Sequence, residues 1–296
     1  MTVRIAQISD THLSASKPFF RANFDLVADD LRRRGPDLVV NSGDLALDGA
    51  DVEDDLKLAK DLHDAIGVDC HLLPGNHDVG DHPDVARRQP ATPERLARYR
   101  RVVGPDFWTI DLPGWRLLGL NALTLGARGL GDEGLGDQGL GDQGLGDEAQ
   151  QDAIRAAAGS LAGRALALIL HKPLADESYA ETLASNRFMT LGPRRTLLAC
   201  LGGALPKLVL CGHVHQYRDT PIGGARHVWS PATSFMISDP WQPGYGTKAV
   251  GYLMHEFSPD GGHRHRLMTV RGLAHHDLAN HPEAYGDIRA WGAGNA

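Results

Sequence analysis

Short apolar runs rich in Val, Ile and Leu alternate along this chain with longer amphipathic or charged stretches. Runs at 3–9, 37–41, 68–73, 107–112, 115–121, 165–170 and 208–211 have the length and apolar content of buried strands, with further strand-like runs at 227–230, 249–257 and 263–271. Amphipathic spacing predicts helices within 20–34, 52–66, 93–102, 147–161 and 193–201. The first half therefore reads as parallel βαβ units. The strand-rich last third, broken by Gly and Pro, reads as a second and more antiparallel sheet. No linker interrupts the pattern, so one domain over 1–296 is expected, with a loop-rich stretch from about 272.

One segment breaks the pattern. Residues 129–148 are four pentapeptides, GLGDE, GLGDQ, GLGDQ and GLGDE. A period of five suits neither strand nor helix, and the glycine content makes an ordered element costly in entropy. Its GxGxxG spacing follows from the repeat and lacks the strand-to-helix setting of a dinucleotide site. The segment reads as an inserted surface loop, passive or acting as a flap over a site.

Composition adjusts this picture in three ways. The net charge is −7, but the repeat holds six acids and no base, so the rest of the chain is close to neutral. Neither part offers the basic surface that nucleic acid requires. No apolar run approaches the ~18 residues of a membrane span, and the N-terminal residues read as a strand rather than a leader. Three widely spaced cysteines, Cys70, Cys200 and Cys211, form no disulfide framework and suit a reducing cytoplasm.

The chemistry lies in five short motifs at or just after strand ends: Asp10-Thr11-His12, Gly43-Asp44, Gly75-Asn76-His77-Asp78, His171, and Gly212-His213-Val214-His215. Loops at such ends converge above a sheet. Imidazole, carboxylate and amide oxygen suit Mn, Fe, Co, Ni or Zn, and the lack of thiolate argues against a structural zinc site. Each motif alone has a plain structural reading, as a turn or a strand-end histidine. Five in this order point to one site. His263-Arg264-His265 repeats the His-x-His spacing on what reads as an exposed strand face, and His275, His276 and His281 could border a neighbouring subunit's site.

The ordered set resembles the calcineurin-like metallophosphoesterase superfamily across residues 10–215, about two-thirds of the chain. The resemblance implies a four-layer α/β/β/α sandwich of two mixed β-sheets flanked by helices. It assigns Asp10, His12, Asp44 and His215 to one divalent ion and Asp44, Asn76, His171 and His213 to another, with Asp44 bridging. Fe, Mn, Zn or Co are the expected metals, and attack on phosphorus by a hydroxide shared between them is the expected chemistry. His77 follows a ligand without being one, and is expected to donate to a phosphate oxygen or leaving group, oriented by Asp78.

Relatives narrow the substrate. Purple acid phosphatases carry a tyrosine three residues after the Gly-Asp aspartate, where this chain has Leu47; lipid-precursor pyrophosphatases resemble GNRD where it has His77. Leu72 to Asp78, His171-Lys172-Pro173 and Ser230-Pro-Ala-Thr-Ser234 are similar to the class III cyclic-nucleotide phosphodiesterase and glycerophosphodiesterase branch. The expected substrate is a small-molecule phosphodiester of that type. The alternative is a phosphomonoesterase acting on a nucleotide, sugar phosphate or phosphoprotein; self-association stays open.

Overall fold

The central strands are apolar on both faces, and the fold is the arrangement that covers both faces at once. The computed structural model describes residues 1–86, 88–127 and 147–290. In chain order come β1 (Val3–Ile8), α1 (Arg21–Arg34), β2 (Leu38–Asn41), α2 (Glu53–Asp64), β3 (Cys70–Leu72), the single turn α3 (Asn76–Val79), α4 (Pro93–Val102), β4 (Trp108–Leu112) and β5 (Trp115–Leu120). The second half holds α5 (Glu148–Gly159), β6 (Ala165–Leu170), α6 (Leu191–Leu201), β7 (Leu208–Cys211), β8 (Arg218–Ile222), β9 (Ala225–Trp229), β10 (Phe235–Met236), β11 (Tyr252–Phe257), β12 (His263–Met268), β13 (His276–Asp277) and the turn α7 (Pro282–Tyr285).

Two mixed sheets result, one in the order β12-β11-β1-β2-β3 and the other β4-β5-β6-β7-β9-β8. Period two sorts their side chains into layers. Ile5, Val40, Leu117, Ile169 and Leu210 fill the space between the sheets. Their neighbours on the opposite faces take the outer layers: Ala6, Ile8 and Val39 pack under α1, α2 and α4, while Leu118, Leu168 and Val209 pack under α5 and α6. The expected four-layer sandwich is the observed one. Local signals set the helix ends, such as the Thr92 side chain accepting from Arg95 N–H (3.2 Å) ahead of Pro93, and Gly35 closing α1 at φ 53°. Among the described residues no helix is long and apolar enough to cross a membrane.

The last third departs from expectation. The only sheet it builds by itself among the described residues is the short parallel pair β10-β13: β9 and β8 extend the second large sheet, while β11 and β12 add to the first, β11 running antiparallel to β1. β1 thereby lies between its parallel neighbour β2 and β11. The repeat expected at 129–148 lies outside the described residues as far as 146. Asp147 accepts from Gly126 N–H (2.5 Å) and from the Gln151 amide (2.8 Å) at the start of α5.

His263 and His265 do not share an exposed face. Both turn toward the buried His255, and His263 packs against Phe257 with ring centroids 4.9 Å apart. The protons in this group can be placed by elimination. The Gln7 amide nitrogen donates to Ser42 Oγ (3.0 Å) and the Cys211 carbonyl (3.2 Å), so Gln7 Oε1 accepts from His255 Nε2 (3.1 Å). His255 Nδ1 then accepts from His263 Nε2 (3.0 Å). Burial holds His255 well below the ordinary imidazole value and His263 down at about 3, so this polar thread is neutral.

Candidate metal centre

Parallel strands point their C-terminal ends one way, and here two sheets do so side by side. Asp10 and His12 follow β1, Asp44 follows β2, and Asn76 and His77 follow β3; His171 follows β6, and His213 and His215 follow β7. The seven residues expected as ligands therefore meet across the two sheets. Main-chain bonds lock the loops together: Asp10 N–H to Gly43 O (2.9 Å), Thr11 N–H to Asp44 O (2.9 Å), and Gly212 N–H to His171 O (3.0 Å). Asp10 Oδ2 accepts from His213 N–H (3.0 Å) and so ties one sheet to the other.

Asp78 was expected to orient His77. Its carboxylate accepts three main-chain bonds, from Leu45 (3.0 Å), Ala46 (2.9 Å) and Gly75 (2.8 Å), which bolt the loops after β2 and β3 together. Burial and the nearby Asp44 carboxylate push its acid up to about 7 against the pull of those donors. His77 gives its main-chain N–H to Asp44 Oδ1 (2.8 Å). Its half-buried ring lies 5.0 Å from His12 and 4.6 Å from Tyr285 between centroids.

Backbone strain is concentrated here. Six non-glycine residues among those described have positive φ, and five of them are Asp10, His12, Asp44, His213 and His215. Left-handed backbone costs an L-residue about 1–2 kcal/mol, and only Ala162 among the six lies elsewhere, so the strain gathers where the motif loops meet. The motif glycines have a different task. A side chain on Gly75 would collide with Asp44 and one on Gly212 with Ser9, so the loops could not close.

The protonation of the four site histidines follows from their outward partners. A carbonyl only accepts, so His171 Nδ1 donates to Ser42 O (3.0 Å), His213 Nε2 to Asn186 O (2.8 Å) and His215 Nδ1 to Phe235 O (2.9 Å). His12 Nδ1 meets the Tyr285 hydroxyl at 2.5 Å. The inward nitrogens converge in two groups. His12 Nε2 and His215 Nε2 are 3.2 Å apart, with Asp10 Oδ1 3.2 Å from the latter. His171 Nε2 lies 3.1 Å from His213 Nδ1, 3.2 Å from Asn76 Oδ1 and 3.3 Å from Asp44 Oδ2. Asp44 Oδ2 is also 3.8 Å from His12 Nε2, which puts it between the groups.

This donor set fits metal ions. Asp10 Oδ1 is buried with no hydrogen-bond partner, and the inward nitrogens crowd together deep in the protein, an arrangement that a cation satisfies. Burial holds His12 and His213 well below the ordinary imidazole value, in the neutral form that ligates. Burial works against charge on His171 as well, but the Asp44 carboxylate overcomes it and lifts the imidazole to about 9. Asp44 is correspondingly held well below the usual carboxylate range, its burial offset by His171. Among the described residues, three groups can each bring ligand atoms within 4.8 Å of one another: Asp10/His12/His215, Asp44/His171/His213, and His12/Asp44/His77.

Two contributors carry no motif. Phe235 packs under both His12 (4.8 Å) and His215 (4.4 Å), and Tyr285 reaches the site from the C-terminal stretch. Phe235 follows the Ser230–Ser234 run directly: Ser234 Oγ and N–H both donate to Asp10 O, at 2.6 and 3.3 Å, and place it. His275, His276 and His281 donate no ligand to these groups. His276 and His281 pair with each other at 3.0 Å and pack on Phe20.

The fold has known counterparts. Residues 3–217 match the family model described as calcineurin-like phosphoesterase. A probable cyclic nucleotide phosphodiesterase from a Synechococcus strain is 25% identical over 280 residues, covering 91% of this chain and 93% of that protein. A dimetal phosphatase from Danio rerio superposes with a TM-score of 0.54 at 17% identity, covering 86% of this chain and 92% of the other. A purple acid phosphatase from yellow lupin seeds superposes with a TM-score of 0.58 at 16% identity, covering 94% of this chain and 53% of the other.

Proposed function

The chain belongs to the calcineurin-like phosphoesterase family, and within it we propose that this protein hydrolyses small phosphodiesters, of the cyclic-nucleotide or glycerophosphodiester type, using two divalent transition-metal ions. The observation that carries the reading is the convergence of all seven ligand candidates in two adjacent groups, with Asp44 Oδ2 between them and the outward nitrogens of His12, His171, His213 and His215 already engaged. Asp10, His12, Asp44 and His215 would hold one ion, and Asp44, Asn76, His171 and His213 the other. Such a pair makes a nucleophile from water at neutral pH and offsets charge on a phosphoryl group. Fe, Mn, Zn and Co all suit the donors.

The chain's own residues supply the rest. His77 borders a cavity of about 510 Å³ together with Lys17, Asp48, Gln89 and Tyr285, which supports a role as donor of a hydrogen bond to a phosphoryl or leaving-group oxygen. Asp78 keeps the His77 loop fixed against Asp44 through its three main-chain bonds. The diester preference rests on the Synechococcus relative.

The test is a relative-rate panel of cyclic AMP, glycerophosphodiesters and phosphomonoesters on protein loaded with one metal at a time. Diester turnover should exceed monoester turnover by about 10-fold or more, about 1.4 kcal/mol of discrimination. Faster monoester turnover with every metal would overturn the diester assignment. Failure to take up any metal would overturn the site.

A further inference from the structure

The structure assigns Tyr285 a positioning role: it fixes the His12 imidazole in the form that presents Nε2 to the Asp10/His12/His215 group. A tyrosine hydroxyl has one proton. Tyr285 spends that proton on the Leu47 carbonyl at 3.0 Å, so its oxygen takes the Nδ1–H of His12 at 2.5 Å. The other three site histidines donate to carbonyls directly, through Ser42, Asn186 and Phe235. His12 reaches a carbonyl only by way of a side chain 273 positions along the sequence.

The segment that brings Tyr285 there is built into the fold. β13 pairs in parallel with β10, matching Phe235 to His276 and Met236 to Asp277. Leu278, Ala284 and Ile288 are buried against Phe20, Leu47 and Phe235. Lys17 Nζ donates to Ala284 O at 3.3 Å, one residue before the tyrosine. Ring contact with His77 at 4.6 Å places Tyr285 against the expected catalytic histidine as well. Position 285 lies beyond residues 3–217 that match the family, so this contact belongs to the C-terminal part of this chain.

The inference deepens the proposed function and rests on the two-ion reading of the site. Outer partners of metal-ligating histidines typically contribute 10- to 100-fold to metal affinity. Tyr285→Phe removes one oxygen and keeps the ring. Two measurements on purified full-length protein decide the matter. In chelator competition, wild type should hold two ions, and the variant should lose about 10- to 100-fold in affinity for one of them while keeping the other. In nitrogen–proton correlation NMR of the metal-free protein, His12 should be a single Nδ1–H tautomer in wild type and a mixture in the variant, with an unchanged thermal midpoint showing that the fold persists. Equal affinities and an unchanged His12 tautomer would overturn the role of Tyr285. If wild type takes up no metal, the two-ion reading fails, and the tautomer measurement still decides whether Tyr285 orients His12.

Discussion

Asp10, His12 and His215 form one half of the site, and Asp44, Asn76, His171 and His213 the other, but the two halves are held in different ways. The first leans on residues that arrive late in the sequence, the Phe235 carbonyl and the Tyr285 hydroxyl, with Ser234 clamping the Asp10 loop. The second is braced from the first part of the chain, through α2 and the end of β2. His63 Nδ1 donates to Ala59 O (2.6 Å), its Nε2 accepts from the Asn41 amide (2.9 Å), and Asn41 Oδ1 accepts from Gly43 N–H (3.0 Å), next to Asp44. The comparison teaches that donors meeting within a few ångströms can owe their placement to unrelated parts of a chain. The halves should therefore be separable by substitution, except at Asp44.

The largest effect is expected at that shared residue. Asp44→Ala should abolish binding of both ions and lower hydrolysis on the order of 10³-fold or more, since a single electrostatic group at a reacting centre is worth 10²–10³. Metal analysis and steady-state rates check it. Retention of one ion at full affinity would confine Asp44 to one half and break the comparison.

Next comes Gly43→Ala. Gly43 sits at φ 113°, and a side chain there would meet the His171 ring at 2.5 Å. The variant should be about 2 kcal/mol less stable in denaturant unfolding, the scale of a strained non-glycine position, and should lose the second half's ion while keeping the first. Loss of both ions together would show the halves to be one unit.

The last effect, felt only in acid and without loss of an ion at neutral pH, concerns His63, which braces the second half alone. Burial lowers its pKa from 6.5 to about 4. The unfolded chain therefore binds a proton that the folded protein refuses between those values, and stability falls as pH drops from about 6.5 to 4. The loss attributable to His63 is about 3 kcal/mol over the window, at up to ~1.4 kcal/mol per pH unit. His63→Gln retains a donor and an acceptor without titrating. Urea unfolding across this range should show the variant's pH slope reduced by about one proton, while the other buried histidines keep theirs. An unchanged slope would remove His63 from the brace.

What the sequence made legible follows the range of the interactions. The continuous apolar runs at 165–170 and 208–211 became β6 and β7, and the motifs behind them became the His171 and His213/His215 positions, because a strand end and the loop after it are neighbours in sequence. β8 left no apolar signal, since Arg218–Ile222 is an edge strand that alternates exposed residues and carries Pro221, which an edge tolerates. His263 and His265 read as an outward pair, whereas pairing with β11 turns them toward His255. Tyr285 was silent: no spacing rule links position 285 to His12, and one tyrosine in a stretch that reads as loop has no periodicity to betray it. Asp78 was legible as part of the GNHD motif, but three main-chain amides decide its task, and no sequence shows those.

The position of β1 between β2 and β11 has a consequence in time rather than in space. A chain made from its N-terminus produces β1 and β2 early, while β11 follows β1 by about 240 residues. At ~5–20 residues per second, one edge of the strand that leads into Asp10 waits roughly 10–50 s for its partner. During that interval Val3–Ile8 presents unpaired amides beside apolar side chains, a template for pairing with another nascent chain. Slower initiation or a lower growth temperature is expected to relieve that crowding and to raise the yield of folded protein with no change in the stability of the finished sandwich.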